Sequence, residues 1–197
     1  MVDVVRLRDE QLPEAARVLA RAFHDDPAWV WVIPDAERRA ATLPWLFRVG
    51  FDVTGADVWT TAGAVRGVAR WLPPGGGAMR VGPSLRALVT TPLRLRDATT
   101  RFLAYGRAVE NLRARVAPGL HWYLAGIGVD PPEQRRGVGA ALLAPGLEGS
   151  TRDAVPAVLL TNSADNLSFY RGHGFEVVAE GATPERGPRA WALVRNP

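Results

Sequence analysis

A segment rich in glycine and arginine, between an apolar strand and an apolar helix, is the first part of this sequence that could do chemistry. It reads QRRGVGAAL over residues 134–142 and follows the strand-like run 121–131, which ends in Asp-Pro. The first N–H groups of a helix have no partner within the helix, and the positive end of the helix dipole attracts anions. The segment therefore predicts a phosphate or pyrophosphate site on the N–H groups of residues 135–140.

The side chains of this corner leave two interpretations open. In one, Gly137 and Gly139 let an anion approach the main chain, and Arg135 or Arg136 adds charge-assisted hydrogen bonds. In the other, the glycines only relieve a tight turn and the arginines are solvated.

Two other phosphate-binding motifs do not fit the corner. A dinucleotide fingerprint, GxGxxG, would need a third glycine where the chain has Pro131 in one reading frame and Leu142 in the other. A P-loop needs a lysine, and the chain contains none.

Two segments together resemble the GNAT acetyltransferase superfamily. Gln134-x-x-Gly137-x-Gly139 directly after a strand resembles its acyl-CoA pyrophosphate loop, and NLSFYRGHGF at 166–175 resembles its C-terminal element. Further stretches resemble the puromycin N-acetyltransferases, a family within it. These are VWTT, WYLAGIGVDPPEQRRGVGAALLAPGLE, VPAVLLTNSADNLSFY and GPRAWALVR, and by length and order they cover nearly the whole chain.

The resemblance implies a fold, a cosubstrate and a set of site residues. The fold would be α/β, a GNAT-like mixed, mostly antiparallel central sheet flanked by helices, in a single domain over 1–197. Acetyl-CoA would be the cosubstrate, with its pantetheine along the β-strand backbone and an N–H near Ile127 serving the oxyanion. The implied cofactor-binding residues are Ile127, Gly128, Val129, Gln134, Arg135, Arg136, Gly137, Val138, Gly139, Ala140, Asn166 and Tyr170.

Tyr170 is the candidate catalytic residue. Its place in the C-terminal element puts it by the CoA sulfur, and a phenol with a pKa of about 10 is protonated at neutral pH and can donate to a leaving thiolate whose conjugate acid has a pKa of about 8.5. The structural alternative makes Tyr170 a core aromatic beside Phe169.

The general base is less defined, because the chain departs from the family pattern. Puromycin N-acetyltransferases have a glutamate in the strand that reads AVLLT here, and the matching residue is Leu160. This departure puts puromycin itself in doubt as the acceptor. It leaves deprotonation to water, to the bulk equilibrium of the amine, or to a residue such as Asp26, His121 or Tyr123.

An acidic and aromatic stretch, FHDDPAWVW, would form the acceptor pocket. In GNAT folds the first two helices and their connection cover the acetyl end of the cofactor, and carboxylates with aromatic rings attract an ammonium group. The candidate substrate-binding residues are therefore Asp26, Trp29 and Tyr123, with Asp25 and Trp31 beside them. Alternatively, an aspartate caps the turn before Pro27 and the tryptophans fill the core.

Composition excludes several classes of function. All 24 basic residues are arginines, spread among 20 acids for a net charge of +4, without the stripe of a nucleic-acid binder. There is no cysteine, which excludes thiolate nucleophiles and disulfides, and the three histidines lack metal-ligand spacing. No membrane span or signal peptide is indicated, so we expect a soluble cytoplasmic protein. The resemblance implies a homodimer.

The pattern of apolar residues predicts the elements that position these groups. Alternation favours strands at 4–8, 121–131 and 156–163, a hairpin within 56–77 and a terminal hairpin after 175. Helical periodicity favours helices from Leu12 to Phe23, in the region 36–53, over 84–115 with a break near Pro92, and after the glycine corner. The segment 24–35 is predicted to be an acidic corner and an aromatic turn.

The expected function is acetyl transfer from acetyl-CoA to a primary amine of a small molecule, by direct attack in a ternary complex. Two alternatives stay open: a protein or peptide N-acetyltransferase, and an acyl-CoA-binding sensor that has lost turnover.

Overall fold

A seven-stranded sheet forms the centre of the computed structural model, which describes residues 2–50, 56–75, 93–182, 184 and 186–197. The strands are β1 (Val4–Arg6), β2 (Asp57–Thr61), β3 (Gly67–Leu72), β4 (Trp122–Val129), β5 (Ala157–Thr161), β6 (Glu176–Ala182) and β7 (Arg189–Arg195). Their order across the sheet is β1-β2-β3-β4-β5-β7-β6. Only β4 and β5 pair in parallel, so the expected mixed, mostly antiparallel sheet is confirmed.

Helices cover both faces of this sheet. They are α1 (Leu12–Ala22), α2 (Pro27–Val32), α3 (Ala36–Gly50), α4 (Ala98–Val116), α5 (Val138–Arg152) and α6 (Leu167–Arg171). The predicted helices at 12–23, in 36–53 and after the glycine corner are confirmed, and α4 confirms the second part of the helical region 84–115. Its first part, 84–92, lies outside the described residues. None of the described helices is long and apolar enough to span a membrane.

Within the segment 24–35, Pro27–Val32 form a helix where an aromatic turn was predicted. Asp26 has extended backbone angles, and its Oδ1 accepts a hydrogen bond from the N–H of Ala28 at 2.9 Å. Pro27 occupies the first helical position, where its missing N–H costs nothing. Aspartate followed by proline is a helix start signal, which outweighed the breaking effect that the turn interpretation gave to the prolines.

The face of the sheet under α5 is packed with large aromatic side chains against glycines. Trp71 and Trp122 lie with ring centroids 6.4 Å apart, and both are buried. A Cβ at Gly146 would fall within the Trp71 indole, and one at Gly149 would lie 2.5 Å from the Trp122 ring. The two glycines therefore let α5 approach the sheet closely enough to fix its N-terminal end.

The central parallel pair is short, and its two strands separate. β4 and β5 pair only from Trp122–Leu124 to Ala157–Leu159. Beyond this, β4 continues against β3 to Val129, and β5 continues against β7 to Thr161. The register between β3 and β4 also shifts between Arg70 and Trp71, so that Ala125 is an extra residue on β4. The inner backbone edges of β4 and β5 therefore face a gap.

We predict that Gly146→Ala destabilises the protein by about 1–3 kcal/mol, because the new methyl group overpacks against the Trp71 ring. The thermal midpoint should fall by several degrees in a denaturation experiment.

Gly106→Ala is the matched control. Gly106 also lies inside a helix, α4, but a Cβ there meets nothing within 4 Å. This change should raise stability by about 0.5–1 kcal/mol, because alanine loses less backbone entropy in a helix. Equal effects of the two substitutions would contradict the packing assigned to Gly146.

Candidate functional site

A cavity of about 220 Å³ lies where β4 and β5 separate, on the face opposite α5. Its polar lining is drawn from several elements: α2, α4, α6, β3, β4 and the ends of β5. The lining residues are Leu19, Phe23, Asp26, Ala28, Trp29, Phe47, Gly50, Val68, Arg70, Tyr105, Val109, Tyr123, Leu124, Ala125, Gly126, Ile127, Leu160, Thr161, Asn162, Asn166 and Tyr170.

The cavity brings together residues that are distant in the sequence. The site residues predicted from sequence that line it are Asp26, Trp29, Tyr123, Ile127, Asn166 and Tyr170. Leu160 also lines it and gives it an apolar wall there.

Three candidates do not line this cavity. Asp25 is exposed and pairs with His24, with 2.8 Å between its Oδ1 and the histidine Nδ1. Trp31 packs against the cluster of apolar residues between α2, α3 and α4. The Nδ1 of His121 lies 2.7 Å from the carbonyl oxygen of Gly119, before the start of β4. His121 is therefore in the wrong place to act as a base on a molecule in the cavity.

Asp26 is both a helix cap and a cavity carboxylate, so the two interpretations of its stretch are not exclusive. Burial raises the pKa of Asp26, while the N–H groups of Ala28 and Trp29 act against that shift. Trp29 holds its place by packing, with its ring 5.5 Å from that of Phe47. The carboxylate is thus fixed in position and more basic than an exposed one.

Tyr170 is buried at the end of the short helix α6. Only 6% of it is exposed, and its ring packs edge-on against Phe169 and Phe175, at 5.3 and 6.0 Å between centroids. Burial, and to a smaller extent the negative charge of Asp26, raises the pKa of Tyr170. The phenol therefore stays protonated and is a donor at neutral pH, and Asp26 is close enough to influence it.

Arg70 is a cavity residue that sequence reasoning missed. It lies on β3, and burial lowers the pKa of its guanidinium. Its buried Nε and Nη2 atoms have no hydrogen-bond partner among the described residues. The signal in the sequence was a single charge within an otherwise apolar strand, GVARWL.

Tyr105 and Asn162 form a second feature that the sequence did not reveal. The Tyr105 hydroxyl donates to Oδ1 of Asn162 at 2.6 Å, and Nδ2 of Asn162 donates to the carbonyl oxygen of Arg189 at 2.8 Å. This chain of hydrogen bonds ties α4 to the end of β5 and to β7. It holds the wall of the cavity opposite β4.

The glycine corner leaves a run of backbone donors free. The N–H of Ala141 bonds to the carbonyl of Gly137 at 3.1 Å, but none of the N–H groups of 135–140 has a protein acceptor among the described residues. Gly137 has φ +79°, a left-handed conformation that glycine adopts without strain, and Arg135 has φ +60°. These conformations turn consecutive donors toward one side, as an anion site requires.

Gly139 lies against α6. A Cβ there would lie 3.2 Å from the Phe169 ring, so the missing side chain lets α5 contact α6. Gly128 has a similar packing role, since its Cβ would lie 2.9 Å from Leu19 on α1. Gln134 uses its side-chain amide to bond the carbonyl of Val129, at 3.2 Å, and so fixes the corner to the end of β4.

Comparison with known proteins identifies the fold to which this architecture belongs. The sequence model of the acetyltransferase (GNAT) family matches residues 89–175. A structure of histone acetyltransferase HPA2 and related acetyltransferase from Corynebacterium glutamicum is 21% identical, with a TM-score of 0.65, over 100% of this chain and 96% of that one. The ribosomal-protein-S18-alanine N-acetyltransferase from Escherichia coli is 16% identical, with a TM-score of 0.54, over 100% and 94%.

An agmatine N-acetyltransferase is 11% identical, with a TM-score of 0.63, over 100% of this chain and 99% of that one. At these identities the likeness establishes the fold, which is the GNAT acetyltransferase fold. The named acceptors of these proteins range from a ribosomal protein to a small amine.

We predict that Asp26→Asn removes a pH-dependent loss of stability. The folded state raises the pKa of Asp26 above its ordinary value of 3.8, so it binds this proton more tightly than the unfolded chain does. The resulting stability is present below the unfolded pKa and is lost as the pH rises through the folded one. Asparagine caps a helix equally well but does not ionise.

The measurement is the free energy of unfolding of both proteins from pH 4 to pH 8. The difference, variant minus wild type, should rise with pH. A difference that stays constant across this range would show that the Asp26 carboxylate is not destabilised by burial.

Proposed function

We propose that this chain, a protein of the GNAT fold, transfers an acetyl group from acetyl-CoA to a primary amine of a small molecule. One observation carries the proposal: the gap between two central strands opens onto a cavity that holds a half-buried carboxylate, Asp26, and a buried phenol, Tyr170. A base and an acid on either side of a slot for an extended chain are what acyl transfer to an amine requires.

The glycine corner and the inner edge of β4 would hold the cosubstrate. The free N–H groups of 135–140, at the positive end of the 15-residue helix α5, suit its pyrophosphate. The backbone of 127–129 suits its pantetheine amides, because the strand has lost its partner there. The side chain of Asn166 at the cavity wall bonds Thr161 at 3.4 Å and would position the thiol end.

The residues of the cavity would then act in sequence. The thioester supplies an activated acetyl carbon, and a neutral amine in the cavity attacks it, forming the C–N bond. The attacking nitrogen becomes positively charged and strongly acidic, and the Asp26 carboxylate accepts its proton. A β4 backbone N–H near Ile127 stabilises the oxyanion, and the phenol of Tyr170 donates a proton to the sulfur as the C–S bond breaks.

The raised pKa of Asp26 serves this role, since a stronger base takes the proton more readily. It also replaces the glutamate that the family has at the position of Leu160, from a different element of the fold. The proposal therefore keeps the chemistry of the family and changes where the carboxylate comes from.

The size of the cavity supports a small acceptor over a protein. Its volume of about 220 Å³ lies below the roughly 300–1,000 Å³ typical of pockets for drug-sized ligands. Its carboxylate is buried within it rather than set along a surface groove. Puromycin and short peptides serve as the larger acceptors in the activity test below.

We further propose that the protein is cytoplasmic and forms a homodimer.

We predict that Gly137→Ala weakens the binding of CoA by about tenfold or more. Its Cβ would meet nothing within 4 Å, so the only penalty is the left-handed φ of +79°, and relief of this strain would turn the donors of the corner away. Calorimetric titration with CoA measures the effect.

Gly63→Ala is the matched control. Gly63 lies in the β2–β3 turn with φ +75° and also has nothing within 4 Å, so it carries the same backbone penalty away from the corner. Its affinity for CoA should equal that of the wild type. If both variants bind CoA as the wild type does, the corner does not hold the pyrophosphate.

The function is tested by following the release of the CoA thiol from acetyl-CoA with a panel of amines, polyamines, puromycin and peptides. With an accepted amine, Asp26→Asn and Tyr170→Phe should each lower kcat/KM by about tenfold or more. Activity of the wild type should rise with pH as Asp26 loses its proton, and Asp26→Asn should lose this rise.

Asp25→Asn provides the control, because it makes the same chemical change at the neighbouring residue, whose side chain is 88% exposed and outside the cavity. It should retain full activity. Tight binding of acetyl-CoA with no release for any amine would favour the sensor alternative, and absence of binding would contradict the proposal.

A further inference from the structure

Arg70 is a half-buried cation whose guanidinium has two buried nitrogens, Nε and Nη2, without a hydrogen-bond partner among the described residues. Side chains alternate along β3, and Arg70 shares its face with Val68, which packs against Leu19 of α1. The guanidinium therefore points to the face that holds the cavity. Its neighbour Trp71 points to the opposite face and packs under α5.

Arg39 shows the contrasting case of a buried arginine whose guanidinium has several hydrogen-bond partners. Arg39 is only 4% exposed, and its guanidinium donates to the carbonyl oxygens of His24, Ile33 and Pro34 at 2.6, 2.7 and 3.0 Å. Arg70 has no salt bridge within the described ranges, and its buried Nε and Nη2 donate to nothing there. Buried guanidinium nitrogens without hydrogen bonds are unfavourable, so a ligand that pairs with Arg70 would stabilise it.

The two charges of the cavity are kept apart. Asp26 and Arg70 both line it, yet no ion pair joins them among the residues that the structure describes. Tyr123 is close enough to influence the pKa of Arg70. Desolvation raises the pKa of the half-buried Tyr123 itself to about 12, so it provides no negative charge at neutral pH. A cavity with a separate carboxylate and guanidinium complements a zwitterion.

We propose that Arg70 binds a carboxylate of the acceptor, and that the acceptor is therefore a small amino acid or a related amino carboxylate. A guanidinium matches a carboxylate through two parallel N–H···O bonds. The amine of the same molecule then lies toward Asp26 and the gap between β4 and β5. This inference rests on the proposed acetyl transfer for the orientation of the amine.

The test compares ligands that differ only in the carboxylate. The pairs are L-tyrosine with tyramine, L-phenylalanine with phenethylamine, and 4-aminobutyrate with butylamine. Calorimetry measures the binding of each to the protein with and without CoA, which cannot donate an acetyl group. The carboxylate member of at least one pair should bind about tenfold or more tightly than its partner, and Arg70→Met should abolish this preference.

Arg6→Met is the control, because Arg6 lies on β1, is 60% exposed and pairs with Asp57 outside the cavity. The Arg6→Met variant should still bind the carboxylate member of the pair more tightly than the matched amine. Arg70→Lys keeps the charge without the planar pair of donors, so it should retain only part of the preference for the carboxylate member of the pair.

Stability separates a ligand-binding role from a structural one. Removing an unpaired buried charge should raise the thermal midpoint of the ligand-free protein by about 2 °C or more in Arg70→Met, while ligand binding is lost. A structural arginine would give the opposite shift.

The results separate the proposed role of Arg70 from the proposed acetyl transfer. Carboxylates that bind no better than the matched amines, or a lower midpoint in Arg70→Met, would overturn the role of Arg70. Selective binding of amino carboxylates without any release of CoA from acetyl-CoA would contradict acetyl transfer alone and leave the role of Arg70 standing.

Discussion

The separation of β4 from β5 is the constraint on which the rest of the structure depends. Each strand keeps an antiparallel partner on its outer edge, β3 for one and β7 for the other, so the sheet continues on both sides of the gap. The inner edges lose their pairing after Leu124 and Leu159. Backbone N–H and C=O groups in such a place need hydrogen bonds from another source, and an extended ligand with amide groups meets this need.

One face of the sheet is packed for stability, and the other face carries the cavity. Under α5, indole rings pack directly onto glycines, which fixes the helix whose N-terminus carries the glycine corner. On the other face, Asp26, Tyr170 and Arg70 surround a cavity. Burial disfavours the charged forms of all three groups, and in the proposed function a ligand would supply their partners. Packing on the apolar face offsets the unfavourable burial of these polar groups.

The sequence predicted the fold and the glycine corner because both depend on local patterns of residues. The Gln-x-x-Gly-x-Gly segment and the apolar periodicities lie within single elements, and they led to the correct elements after residue 120. Arg70, Tyr105 and Asn162 were not foreseen, since their contacts join β3, α4 and the end of β5 across long stretches of chain. The role of Gly139 also depended on a neighbour, Phe169, which no local pattern identifies.

Hydrogen–deuterium exchange with and without CoA tests the central claim most directly, that the gap in the sheet and the glycine corner hold the cosubstrate. Exchange should slow at the amides of 125–129 and 135–140 on addition of CoA, whereas the amides of β2, on the other side of β3, should not change. Protection confined to other parts of the chain, with none at these two segments, would contradict the account.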